Sequence, residues 1–125
     1  MVLARGLIEE LRQGKGSIVN VTSIAGSRVH PFAGSAYATS KAALASLTRE
    51  MAADLGPLGI RVNSIAPGEI ETAMIGPEYL ELAKEIPMRR LGTAEEVAKT
   101  IYFLCTEQSS YVNGAEIHIN GGQHV

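Results

Sequence analysis

Tyr37 and Lys41 are the two residues whose types and spacing most directly imply chemistry. They lie in Ser35-Ala36-Tyr37-Ala38-Thr39-Ser40-Lys41-Ala42-Ala43, a stretch that no Gly or Pro interrupts before Gly56 and Pro57. Its residues are short or favour helix. On a helix, residues at i and i+4 stack on one face. A free phenol titrates near ~10, too high to shuttle protons at neutral pH. An ammonium at roughly 5 Å in a partly screened site favours a phenolate by about 3 kcal/mol. That is most of the ~4 kcal/mol needed to bring a phenol to neutrality. The pair therefore predicts a phenol prepared for general acid–base work.

The flanking elements must present that pair to a ligand. Upstream, Gly16-Ser17-Ile18-Val19-Asn20-Val21-Thr22-Ser23 contains a short apolar, β-branched run. It reads as a buried strand over Ser17 to Thr22, with Ser23 at its end. Downstream, Gly59-Ile60-Arg61-Val62-Asn63-Ser64-Ile65-Ala66 reads as a second strand over Arg61 to Ile65, closed by Pro67-Gly68. The long helix between them runs from Tyr37 to Leu55, with Leu44, Leu47, Met51 and Leu55 as its buried stripe. Ala42, Ala43, Ala45, Ala52 and Ala53 leave room for close helix packing. A right-handed crossover through this helix makes the two strands parallel. In open parallel sheets ligands bind at the carboxyl ends of the strands, where Ser23, Tyr37 and Pro67-Gly68 would meet.

Ser23, Tyr37 with Lys41, and Asn63-Ser64-Ile65-Ala66-Pro67-Gly68, in that order, resemble the short-chain dehydrogenase/reductase family. The likeness continues through Ile86-Pro87-Met88-Arg89-Arg90-Leu91-Gly92 to Gly121-Gly122. It implies an α/β fold: the C-terminal half of a doubly wound Rossmann-type parallel sheet, three strands with flanking helices. It also implies hydride transfer between NAD or NADP and a small-molecule carbonyl or alcohol. By the resemblance Tyr37 exchanges the proton, Ser23 hydrogen-bonds the same oxygen, and Lys41 serves the tyrosine and the nicotinamide ribose. Pro67 and Gly68 would let the backbone approach the nicotinamide, with Ile70 and Thr72 on its carboxamide and phosphate side. In the family the long helix packs across a subunit interface, so a homo-oligomer is expected. The family's Gly-rich pyrophosphate turn, which follows a first strand, has no counterpart here; Gly14-Lys15-Gly16 precedes a strand. Residues 1–125 thus read as the catalytic half alone, without the N-terminal dinucleotide-binding βαβ half.

Two other functions compete. One is a non-catalytic relative that serves only as a folding or oligomerisation module. The other is a serine hydrolase using Ser23, but Thr22-Ser23-Ile24-Ala25-Gly26 is not Gly-x-Ser-x-Gly, and no acid–histidine pair is evident.

The rest of the 125 residues is consistent with one α/β unit. A 46% hydrophobic content is enough for a core, and a net charge of −2 gives no basic surface for nucleic acid. No apolar run reaches a membrane span, and the opening residues are too interrupted for a signal peptide. Cys105 is the single cysteine, which excludes an internal disulfide and fits a reduced, cytoplasmic setting. Its apolar neighbours predict a packed thiol.

Leu3 to Gln13 reads as a helix with a Leu3, Leu7, Ile8 and Leu11 stripe, weakened by Gly6 and ended by Gly14. His30 lies in the Gly- and Ser-rich loop from Ile24 to Gly34 and reads as an exposed histidine. Glu69 to Leu91, with Pro77, Pro87, Met74, Met88 and a helical piece around Tyr79 to Lys84, resembles the family's substrate lid. Thr93-Ala94-Glu95-Glu96 is a capping box. Its helix carries Val97, Ala98, Ile101, Leu104 and Cys105 and ends at Ser109 and Ser110. Asn113-Gly114 is a turn, and Glu116 to Asn120 is the last strand, with Ile117 and Ile119 toward the core. Glu116, His118 and His124 are read as a strand face and a frayed tail, not as metal ligands.

Overall fold

A computed structural model describes residues 2–72 and 76–125. Met74 of the expected lid lies outside the described residues. The β-branched runs form three parallel strands: β1 (Ser17–Val21), β2 (Arg61–Pro67) and β5 (Glu116–Ile119), ordered β1-β2-β5. Ser17 stands opposite Arg61, and Ser64 opposite Glu116. β2 is central, and Val62 to Ala66 are buried throughout, as a strand covered on both faces must be.

The long helix α3 (Gly34–Leu55) lies on one sheet face. Met51 and Ala52 form a buried cluster with Ile60 and Val62, joined by Ala4, Leu11, Ile18, Leu47 and Leu55. Asn20 Nδ2 donates to Thr48 Oγ1 at 2.9 Å, and Thr48 Oγ1 donates to Leu44 O at 2.8 Å, which ties α3 to β1. The fully buried helix positions are Thr48, Met51 and Ala52; Leu44, Leu47 and Leu55 are half-buried, and Ala42, Ala43 and Ala53 are exposed. The helix begins at Gly34, ahead of the expected start at Tyr37.

The N-terminal helix is broken into α1 (Val2–Gly6) and α2 (Ile8–Gln13) at Leu7. Gly6 is the last residue of the first piece, where a glycine costs less than in a helix interior. The break shifts the phase, so Leu3 and Leu7 are exposed while Ala4 and Leu11 pack on the core. Gly14 caps α2 with ordinary φ of −83°, and Lys15 takes the left-handed position at φ 48°.

On the opposite face lies α5 (Ala94–Cys105), packed against β1 and β2. Thr93 Oγ1 accepts from Glu96 N at 3.2 Å and Glu96 Oε2 accepts from Thr93 N at 2.8 Å, the expected capping box. The Arg90 guanidinium, then the Thr93 N–H, hold the Glu96 carboxyl down at about 2. The helix ends at Cys105, before the expected serines, and a 3-10 turn spans Glu107–Ser109. Arg61 closes that end by donating to Leu104 O, Thr106 O and Ser109 Oγ at 2.9, 3.1 and 2.9 Å. Leu104 is the buried residue of α5, which turns the following Cys105 out to solvent; the expected packed thiol is an exposed one. Ala98 is exposed as well.

A second sheet of two short parallel strands, β3 (Ile70–Glu71) and β4 (Gly92–Thr93), brackets the segment that holds α4 (Pro77–Ala83). Side chains extend the main ladder. Asn113 Oδ1 accepts from Val62 N at 2.9 Å; the fully buried Asn63 donates to Val112 O and accepts from Ala115 N, both at 2.9 Å. The C-terminal tail is not frayed: His124 lies 2.9 Å from Asn120 Oδ1 and stacks on His118 at 4.2 Å between centroids. Among the described residues no helix is long and apolar enough to cross a membrane, and no group of three or more His, Cys, Asp or Glu converges as a metal site.

Candidate active site

Ser23 follows the carboxyl end of β1 in extended conformation and caps a 3-10 turn (Ile24–Gly26), its Oγ accepting from Ala25 N at 3.2 Å. The turn rests directly on α3. A Cβ on Gly26 would come within 2.9 Å of Ala42 N and 3.0 Å of the Lys41 carbonyl carbon, so only glycine allows this approach. Ser23 is thereby fixed relative to the helix that carries the other two candidates.

Tyr37 and Lys41 share one face of α3. The Lys41 Nζ lies 5.6 Å from the centroid of the Tyr37 ring and donates to Val21 O at 2.8 Å. The ammonium therefore bridges the helix and the outer edge of β1. Two of its three N–H donors have no hydrogen-bond partner among the described residues. Tyr37 is 46% exposed, and its hydroxyl makes no hydrogen bond among the described residues.

Ser23 and Tyr37 line one cavity of about 280 Å³ with Ile24, Ala25, His30, Phe32, Ala33, Gly68, Glu69 and Tyr79. Gly68 is the member of the Pro67-Gly68 pair that reaches it. A Cβ on Gly68 would meet Asn120 Cα at 3.0 Å and Cβ at 2.6 Å, so the glycine also lets β2 and the C-terminal segment approach. Pro67 ends β2. Ile70 sits in β3 against Gly92, and Thr72 is exposed; neither lines the cavity. Lys41 stands behind Tyr37 and does not line it.

His30 corrects the sequence reading. It is not a free loop histidine: its side chain is 13% exposed and is bonded through Nε2 to Glu69 Oε1, itself 10% exposed, so the acid–histidine pair that the sequence does not suggest exists, with no hydrogen bond to Ser23 among the described residues. Nδ1 accepts from Phe32 N at 3.3 Å. Phe32 meets His30 edge-on at 5.9 Å and Tyr79 at 5.1 Å, which builds an aromatic cluster in the lining of the same cavity. The sequence carries little signal for this cluster. His30 and Phe32 do fall between Ser23 and Tyr37, but Glu69 and Tyr79 come from a segment that only the tertiary fold brings alongside.

Over residues 1–124 the chain matches the protein family described as enoyl-(acyl carrier protein) reductase. Protein FixR of Bradyrhizobium diazoefficiens is 68% identical over 126 residues, covering 100% of this chain and 45% of FixR. The 3-oxoacyl-[acyl-carrier-protein] reductase FabG of Aquifex aeolicus is 40% identical over 130 residues, 98% of this chain and 50% of that protein. A crystal structure of a 3-oxoacyl-[acyl-carrier protein] reductase with bound NAD from Brucella melitensis aligns with a TM-score of 0.90 at 38% identity. That alignment covers 98% of this chain and 47% of the other. The chain spans about half the length of the relatives it matches.

Proposed function

The chain belongs to the short-chain dehydrogenase/reductase family, and from that premise we propose that it carries the proton-transfer site of an NAD(P)-dependent oxidoreductase acting on a carbonyl or alcohol. The observation that carries this reading is the convergence of Ser23 and Tyr37 on one cavity, with the Lys41 ammonium behind the phenol ring. Tyr37 gives a proton to the carbonyl oxygen in reduction and takes it from the alcohol in oxidation. Ser23 Oγ donates to the same oxygen and orients it; its lone pairs already hold Ala25 N, which leaves its own proton for the substrate. Lys41 places positive charge beside the phenol as its proton leaves.

The donor set fits the ribose and nicotinamide end of a dinucleotide. Lys41 has two unengaged N–H donors, and the hydroxyl of Tyr37 has no protein partner among the described residues. Lys41 and Tyr37 would hold that end, with Gly68 close by; Pro67, Ile70 and Thr72 are assigned to it by family pattern alone. When bound, the nicotinamide supplies or accepts the hydride.

Replacing Tyr37 by Phe tests the reading in the intact protein. Turnover should fall by about 10²–10⁴-fold, with the circular dichroism spectrum unchanged because the phenol hydroxyl makes no internal hydrogen bond among the described residues. A Phe variant retaining more than about a tenth of the activity would remove Tyr37 from proton transfer. An intact native protein without turnover of carbonyl or alcohol compounds would instead favour the competing reading, a non-catalytic folding or oligomerisation module.

A further inference from the structure

The polar lining of the Ser23–Tyr37 cavity is one-sided. Its described lining residues include one carboxylate, Glu69, and no lysine or arginine. His30 is already engaged at both ring nitrogens: Nδ1 accepts from the Phe32 N–H at 3.3 Å, and Nε2 is bonded to Glu69 Oε1. The carboxylate it anchors is 10% exposed and poorly screened by solvent. Apart from Ser23, Tyr37 and Gly68, the remainder of the lining is apolar or aromatic: Ile24, Ala25, Phe32, Ala33 and Tyr79.

We propose that Glu69, anchored by His30, is a charge-selecting residue of this site: it admits neutral carbonyl or alcohol compounds with a flat apolar or aromatic body and rejects those bearing a carboxylate on that body. The inference rests on the functional reading above for the position of the reacting carbonyl. The His30 bond fixes the Glu69 side chain at the cavity wall. The Phe32–Tyr79 pair, at 5.1 Å, offers ring faces and edges to a planar substrate. A second carboxylate brought into this space meets the shielded Glu69 carboxylate, a like charge that no lysine or arginine of the described lining offsets.

The probes are 4-acetylbenzamide and 4-acetylbenzoate, which share a methyl ketone, a ring and nearly the same size but differ in charge. Their affinities for the intact protein are read by saturation-transfer NMR titration. The benzamide should bind at least about tenfold tighter, a difference one repelling charge readily supplies. Glu69→Gln should bring the two affinities to within about threefold of each other. His30→Gln, which retains an amide donor for Glu69, should preserve the discrimination. Equal or tighter binding of the benzoate to the native protein overturns the proposal, as does a Glu69→Gln protein that still discriminates. Should Glu69→Gln fail to fold, the native affinities alone decide. The readout is the ratio of two affinities and not turnover, and the methyl ketone that would meet Tyr37 is common to both probes. A failed charge test with an inactive Phe variant removes only Glu69; a passed charge test with an active Phe variant removes only the proton-transfer reading.

Discussion

At the residue scale, the site depends on close backbone approaches as much as on side chains. Gly26 seats the Ser23 turn on α3 at the level of Lys41 and Ala42. An added methyl would meet backbone atoms, which cannot swing away as a flexible side chain can. Gly26→Ala should therefore destabilise the fold by about 1–3 kcal/mol, measured by urea denaturation of the intact protein. It should also lower kcat by shifting Ser23 relative to Tyr37. A variant with native stability and native kcat would show that the turn relaxes without moving the site. The catalytic candidates themselves are legible in sequence because an i, i+4 pair on a helix and a serine at a strand end are local patterns. His30 with Glu69 is not legible, since the two are far apart in the chain and neither lies in a periodic pattern. The exposure of Cys105 is hidden for a related reason: an apolar neighbourhood in sequence does not fix which side of a helix faces the sheet.

At the element scale, the capping box is the local signal that the structure reproduces most closely. Thr93→Ala removes the acceptor for Glu96 N and should cost about 1 kcal/mol. Glu96 also gives a pH dependence whose sign follows from its depressed titration. The carboxylate is favoured in the folded state, by Arg90 first and the Thr93 N–H second, with its pKa lowered from 4.5 to about 2. Its stabilising contribution is therefore complete above about pH 4.5 and is lost as the pH falls toward 2. Stability measured from about pH 6 down to about pH 2 should decline less steeply in Glu96→Gln than in the native protein. Parallel acid limbs would mean that this exposed pair contributes nothing to folding.

The longer periodic elements are legible in the sequence because helix and strand periods repeat several times within them. The β3–β4 pair is not, because two residues per strand carry no period. The break at Leu7 is foreshadowed only by the cost of Gly6. Side-chain rungs such as Asn113 on Val62 and the buried Asn63 clasp are likewise tertiary events, invisible to propensity.

At the scale of the whole molecule, the sheet is open along β1. Gly16 O and Thr22 N bond to β2, so the alternate residues Ser17, Val19 and Val21 turn their backbone groups to the other side. Among those outward groups Lys41 engages Val21 O. Val21 is 44% exposed, and no strand pairs with this edge among the described residues. The outer surface of α3 adds an exposed set of small residues that includes Ala42, Ala43, Ser46 and Ala53. An apolar edge without guarding Pro or Lys within the strand is a template for further pairing, and parallel strands are normally covered on both faces. The 125-residue chain by itself is therefore expected to self-associate through the β1 edge or the outer face of α3. Sedimentation velocity at micromolar concentration should show species larger than 13.3 kDa. Val19→Lys places a charge on the edge strand and should shift the distribution toward monomer if β1 pairing is the route. Ser46→Arg, which sets a long charged side chain among the small residues of α3, should do so if the helix face is. A monodisperse 13.3 kDa monomer with a cooperative melt would show that Lys41 and the loop after Ser23 suffice to close the edge.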